Sequence, residues 1–213
     1  MKIKYLAHAA FLITAANGTR IVTDPYTYSP GMGCGAINET ADIVTVSHEH
    51  GDHNNTAAVK DNPKIVRIGM EVKGISFRAV ATSHDDTGGS QRGKNTIFCF
   101  AVDNVNLCHC GDLGHELTVE QVNAIGKVDV LMIPVGGFFT IDAGVAAQIC
   151  DQLKPKVVLP MHYKTGKSNF PIAGVDEFLK SKNNVVRSND SEIELMADKL
   201  PDKTQIIILK PAL

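Results

Sequence analysis

The sequence predicts an α/β (α+β) chain in which two β-sheets pack face to face with helices outside. Two observations carry that reading. Apolar strand-like runs crowd the first half, and strand-like and helix-like segments alternate after Thr118. Size and composition agree: 213 residues can bury a sizeable core, and 44% hydrophobic with 21% charged residues is ordinary for a globular chain. No repeat, low-complexity tract or linker interrupts it, so residues 1–213 read as one domain.

The strand candidates are KIKYLA (2–7), AAFLIT (9–14), RIVTD (20–24), DIVTVS (42–47), KIVRIG (64–69), ISFRAVATS (75–83), NTIFCFAV (95–102) and VNLCHCG (105–111). Glycine- and asparagine-containing turns separate them. TVEQVNAIG (118–126) opens on a Thr-x-x-Gln capping box and predicts a helix. VDVLMIPVGG (128–137) reads as a buried strand. DAGVAAQICDQLK (142–154) places Val145, Ile149 and Leu153 at helical spacing behind an Asp142 cap. The strand KVVLPMH (156–162), the helix GVDEFLKSK (174–182) and the strand TQIIILK (204–210) follow.

Charge and cysteine usage exclude several classes. A net charge of −2 with scattered lysines and arginines leaves no broad nucleic-acid footprint. The first twenty residues, broken by Lys4 and His8, lack a signal-peptide cleavage pattern, and VLMIPVGGFF (130–139) is too short to span a bilayer. Five cysteines without a CxxC pair favour reduced thiols and a cytoplasmic protein. Cys108 and Cys110, two apart in a β-rich run, read as packing residues rather than ligands.

Three of the eight histidines fall in one heptad, SHEHGDH (47–53). It follows the strand DIVTVS, so its side chains emerge at a strand's C-terminal end, where a rigid scaffold presents chemistry. Gly51 breaks any helix there, and a loop can turn His48, His50, Asp52 and His53 towards one point. Imidazole nitrogen and carboxylate oxygen are ligands for Zn²⁺ and similar ions. Four such groups in six residues suit two ions better than one. Further candidates stand at other strand ends: His84, Asp112 and His162.

The ordered set His48-x-His50-x-Asp52-His53, His84, Gly111-Asp112 and His162 resembles the five motifs of the metallo-β-lactamase superfamily. TDP (23–25), CGDLG (110–114), IPVGGFFT (133–140) and LPMHY (159–163) are similar to its small metal-dependent hydrolases, the group that includes ascorbate-6-phosphate lactonase. The resemblance implies a four-layer αββα sandwich. It implies that His48, His50 and His84 hold one divalent ion, that Asp52, His53 and His162 hold another, and that Asp112 bridges them. Zinc is the first expectation for both ions, with manganese or iron as alternatives. A metal-bound hydroxide would then attack a small ester, lactone or phosphoester, and Asp52 would also accept a proton. A redox di-iron enzyme and a nuclease or phosphodiesterase acting on nucleic acid are the alternatives. Against them, position 50 is not the glutamate of flavo-diiron oxygen reductases, and the 49 residues between Asp112 and His162 leave no room for a nuclease insert. A small molecule is the expected partner, with neither nucleic acid nor membrane.

Around this set stand residues that could support or wall it. Asp24 could fix a ligand imidazole by hydrogen bonding, or merely turn the chain before Pro25. His115 could meet substrate or be a plain loop histidine, and His109 should pack inside the sandwich. Glu49 should face away. Phe138 and Phe139 should wall the site, Tyr163 flanks His162, and Arg92, Lys94, Lys164 and Lys167 are loop cations near ligands that could bind a substrate anion.

Overall fold

Side-chain alternation decides which face each strand buries. The computed structural model describes residues 1–213 except Lys167 and Ser181. Its first sheet carries β1 (Lys2–Ala7), β2 (Ala10–Thr14), β3 (Arg20–Thr23), β4 (Ile43–Thr45) and β5 (Lys64–Val66). Ile3, Tyr5, Phe11, Ile13, Ile21 and Ile43 enter the main core. Their chain neighbours Leu6, Leu12, Val22 and Val44 enter a smaller core on the opposite face, as a period of two demands.

The remaining chain forms β6 (Met70–Val72), β7 (Ile75–Ser83), β8 (Lys94–Val102), β9 (Val105–His109), α1 (Val119–Ile125), β10 (Val130–Pro134), α2 (Ala143–Leu153), β11 (Val157–Met161), α3 (Asp176–Leu179), β12 (Val185–Arg187), β13 (Glu192–Glu194) and β14 (Gln205–Ile208). The sheets run β13-β1-β2-β3-β4-β5 and β12-β14-β11-β10-β9-β8-β7-β6. The mixed α/β architecture with two sheets is the one expected, but its outer layers differ. The smaller core is closed by the segment bearing Tyr26, Met32 and Ile37, with 3₁₀ turns at Pro30–Met32 and Thr56–Ala58 instead of a helix. Pro30, Gly31, Gly33 and Gly35 crowd that segment, and glycine and proline are the worst helix formers.

The helices over the second sheet start where predicted. Thr118 and Gln121 complete a reciprocal capping box at α1, and the Asp142 side chain accepts the Val145 amide to cap α2. Ala146, Ile149, Cys150 and Leu153 form the buried face of α2. α3 is only four residues long, and the expected helix 174–182 reaches Ser181, outside the described residues. Cys108 and Cys110 are buried in the main core, and all five cysteines are unpaired. Among the described residues, no helix is long and apolar enough to cross a membrane.

Strand direction gathers the site. β3 and β4 are parallel, as are β9, β10 and β11. β1 reaches the direction of β3 through two antiparallel steps, and β7 reaches that of β9 in the same way. The C-terminal ends of β1, β3, β4, β7, β9, β10 and β11 therefore open onto a common edge. Chain packing there is tight at the end of β10, where a Cβ on Gly136 would overlap the His162 carbonyl oxygen and sit 3.2 Å from Tyr163 Cα. Gly136→Ala should lower Tm by roughly 2–10 °C, from about 1–3 kcal/mol of overpacking, and should weaken metal retention by shifting His162. An unchanged melting curve with unchanged metal content would show that the backbone yields without cost.

Candidate metal centre

Each chemical side chain sits just past a strand end. His8 follows β1, Asp24 follows β3, and the His48–His53 loop follows β4; His84 follows β7, Asp112 follows β9 by three residues, and His162 follows β11. Three of these are non-glycine residues in left-handed backbone: His8 at φ 56°, Asp24 at φ 39° and His162 at φ 50°. Such backbone persists only where surroundings over-determine it. Here the His8 carbonyl accepts both the His162 amide at 2.8 Å and the Tyr5 hydroxyl at 3.0 Å, while the Asp24 amide donates to Thr45 O at 2.9 Å.

Asp112 lies at the centre. Its Oδ2 is 3.1 Å from His53 Nε2, 3.2 Å from His84 Nε2, 3.3 Å from His162 Nε2 and 4.0 Å from His48 Nε2. Asn95 Oδ1 accepts the Asp112 amide at 3.0 Å and fixes the residue on the second sheet. Asp24 grips the opposite side, accepting from Ser47 N at 2.8 Å, from Ser47 Oγ at 2.5 Å and from the His53 ring at Nδ1, 3.0 Å away. The hydrogen-bond reading of Asp24, left open by the sequence, is thus the geometry found.

Charge distribution follows from this enclosure. Burial opposes ionisation of Asp112, yet the His162 and His53 rings hold its carboxyl well below the usual range. Burial likewise works against Asp24, and the His53 hydrogen bond together with the charges of His109, His53 and His48 outweighs it, lowering its carboxyl. His53 is buried too, but flanked by Asp112 and Asp24 its basicity is raised well above the ordinary value. Burial pushes His48 down to about 3 and His8 down to about 4, so both stay neutral with lone pairs to offer.

Among the described residues three groups have their donor atoms within 4.8 Å of one another: His48, His50 and His84; His8, Asp52, His53 and His162; and Asp24, His48 and His53, which overlaps the other two. His48 Nε2, His53 Nε2, His84 Nδ1, His162 Nδ1 and Asp112 Oδ1 are buried without a hydrogen-bond partner. Each such orphan costs about 1–3 kcal/mol. A divalent cation beside Asp112 would engage the orphaned atoms that face it, one nitrogen per ring, and the donor types match zinc, iron or manganese. The residues fit a metal.

The structure sorts the outer candidates. Phe139 lines the cavity over the cluster, whereas Phe138 is 63% exposed and walls nothing. His115 is committed to backbone: its Nε2 accepts the Ser83 amide at 3.1 Å, and Nδ1 lies 2.7 Å from Glu116 O. It braces the end of β7 and has no nitrogen left for substrate. Tyr163 turns into a separate small pocket with His8, Cys34 and Ser168. Glu49 pairs with Arg67 at 3.0 Å on the surface, and His109 is buried, donating from Nε2 to Ala9 O at 2.8 Å. Lys167 lies outside the described residues. Two residues escape the sequence reading altogether. His8 Nε2 sits 3.2 Å from Asp52 Oδ2, and Phe170 lines the cavity opposite Phe139. Only the break His8 makes in an apolar N-terminal strand pair signals it in sequence; Phe170 carries no signal.

Comparison with known proteins places this arrangement. A family profile described as "Beta-lactamase superfamily domain" matches residues 2–162. A UPF0173 metal-dependent hydrolase of Thermococcus onnurineus is 30% identical, over 99% of this chain and 97% of its own. One from Nanoarchaeum equitans is 31% identical, over 92% and 100%. A crystal structure from Thermotoga maritima, described as a candidate zinc-dependent hydrolase of the metallo-β-lactamase superfamily, superposes with a TM-score of 0.82 at 37% identity, covering 98% of this chain and 97% of the other.

Two outcomes follow from the site's geometry. Stripping metal with a chelator should lower Tm by about 5–10 °C, the effect of losing a ligand bound at about 100 Kd, and zinc or manganese should restore it. An identical Tm before and after stripping would mean the orphaned atoms are satisfied without metal. Asp24→Asn should weaken metal affinity about 10- to 100-fold, as loss of an imidazole-orienting carboxylate does; calorimetric titration showing wild-type affinity would reduce Asp24 to a turn residue.

Proposed function

The chain belongs to the β-lactamase superfamily and, within it, to the UPF0173 metal-dependent hydrolases, and from that premise we propose that it cleaves a small ester, lactone or phosphoester with two divalent ions. The observation that carries this reading is the pair of ligand sets converging on the Asp112 carboxylate. His48, His50 and His84 would hold one ion. Asp52, His53 and His162 would hold the other, and Asp112 would touch both. Zinc heads the order of preference, since imidazole dominates the donor set.

When bound, such ions activate water near neutral pH and polarise the substrate oxygen. The chain's own residues do the rest. Asp52, 35% exposed at its side chain, lines a cavity of about 310 Å³ with His50, His84, Asp112 and His162. Burial opposes its ionisation, but the His8 hydrogen bond and the His53 and His8 charges together keep its carboxyl below the usual range. In its ionised form Asp52 would be the proton acceptor for the attacking water and would pass that proton to the leaving group, a role carried by its place in the cavity and not by raised basicity. His8 orients that carboxylate through Nε2. Phe139 and Phe170, 6.3 Å apart between ring centroids, limit water on the open side. Five unpaired cysteines, four of them buried, suit a reducing cytoplasm.

Metal analysis tests the reading directly. Protein purified without chelators should carry up to two ions per chain, and Asp112→Ala should lose both together with hydrolysis of a lactone, thioester and phosphodiester panel. A ceiling of one ion under metal-replete conditions would refute the dinuclear assignment, and full metal content in Asp112→Ala would refute the bridge.

A further inference from the structure

Two cavities meet at Arg92. The inner one holds the metal-ligand cluster, and the outer one, about 430 Å³, runs past Arg67, Gly93 and Lys94; His50 and Arg92 line both. The loop that carries Arg92 is rigid. Asp85, buried next to His84, accepts the amides of Thr87, Gly89, Gln91 and Arg92 at 2.7–2.9 Å, so one carboxylate pins the whole turn. From there the Arg92 guanidinium lies over Phe139, with Cζ 5.8 Å from the ring centroid.

Arg92 stands apart from the other four arginines. Arg20, Arg67 and Arg187 each pair with a carboxylate, and Arg78 donates to Ile125 O at 2.6 Å. Arg92 alone has neither a carboxylate nor a carbonyl partner among the described residues. A half-buried guanidinium offers five donors in a planar fork and needs acceptors; carboxylate and phosphate match it with two parallel hydrogen bonds. Nearby protein carboxylates are already engaged: Asp85 by backbone amides, Asp112 by imidazoles, Asp52 by His8. On its cavity side the guanidinium is therefore open to an acceptor from outside the protein.

We propose that Arg92 is the specificity residue of the site and that the substrate carries an anionic group, carboxylate or phosphate, separate from the bond that is cut. The scissile bond occupies the inner cavity, and the anion sits on Arg92 where the cavities join. Cavities of this size take one small molecule. The inference rests on the hydrolytic reading above and narrows its substrate class.

The test compares a neutral lactone with its carboxylated and phosphorylated counterparts on metal-loaded wild-type protein, Arg92→Gln and Arg92→Lys. Wild type should prefer an anionic member, and the better of the two identifies the anion. Arg92→Gln should lose about 10- to 100-fold in kcat/KM on that member, mainly through KM, and less than about 3-fold on the neutral lactone, with Arg92→Lys in between. Equal losses on neutral and anionic members would make Arg92 a packing residue and overturn the proposal. Should wild type hydrolyse neither these lactones nor the thioester and phosphodiester members of the panel above, the hydrolytic reading fails, and calorimetry with methylphosphonate and acetate still decides the subsite. Binding weakened at least about 5-fold in Arg92→Gln supports it; equal binding assigns the anion to the metals alone and overturns it.

Discussion

One imidazole joins the two sheets. His53, fully buried, lies with Nδ1 3.0 Å from Asp24 Oδ2 on the first sheet and Nε2 3.1 Å from Asp112 Oδ2 on the second. Two carboxylates this close in a dry interior repel one another, and removing them from water costs several kcal/mol apiece. A ring that can carry positive charge lies between them, with the His162 and His84 rings beside Asp112 and Ser47 on Asp24 adding to it. Everything else at the edge follows from that alignment. Ser47 turns both its amide and hydroxyl to Asp24, which aims the loop after β4, and Asn95 holds the Asp112 backbone from β8. A cation that takes over the His53 charge inherits a site already built for it.

The same enclosure explains why strained backbone collects here. His8 and His162 both adopt positive φ, and each helps hold the other: the His8 carbonyl receives the His162 amide, and their rings lie 4.2 Å apart. A turn of the first sheet is thereby stitched to a strand end of the second. In an isolated hairpin a left-handed histidine would relax. Between two sheets it cannot, because relaxation would break a buried hydrogen bond and shift a ligand.

What the sequence made legible divides by physical cause. The strand runs and the β-then-α/β rhythm could be read because side-chain alternation is local. The dense loop 48–53, with His84, Asp112 and His162 at strand ends, could be read because ligand chemistry admits few residue types. That coil and 3₁₀ turns, not a helix, cover the first sheet could not, since whether Gly- and Pro-rich chain caps a sheet as coil or helix depends on the surface beneath it. β13 was equally hidden: three residues near the C-terminus pair antiparallel with β1 at the other end of the chain, and no local pattern encodes that distance. His115 illustrates the converse. Three residues past Asp112, it looked available, but the Ser83 amide had already claimed it.

His8 and Phe170 sharpen the distinction between the machinery and what surrounds it. The ligand groups ride on strand ends, where a sheet's hydrogen bonds fix position, and their identities are dictated by a metal's demand for nitrogen and oxygen. The walls come from elsewhere: a turn between β1 and β2, the loop pinned by Asp85, and Phe170 beyond β11. Those segments answer to whatever molecule must fit, and no periodicity or spacing rule constrains them. A Phe170 or Arg92 substitution can reshape the cavity without removing a partner of Asp112, because the Asp112 carboxylate is met by histidine rings and its amide by Asn95. The fold thus separates the chemistry it performs from the molecule it selects, and the separation runs along the boundary between sheet edge and loop.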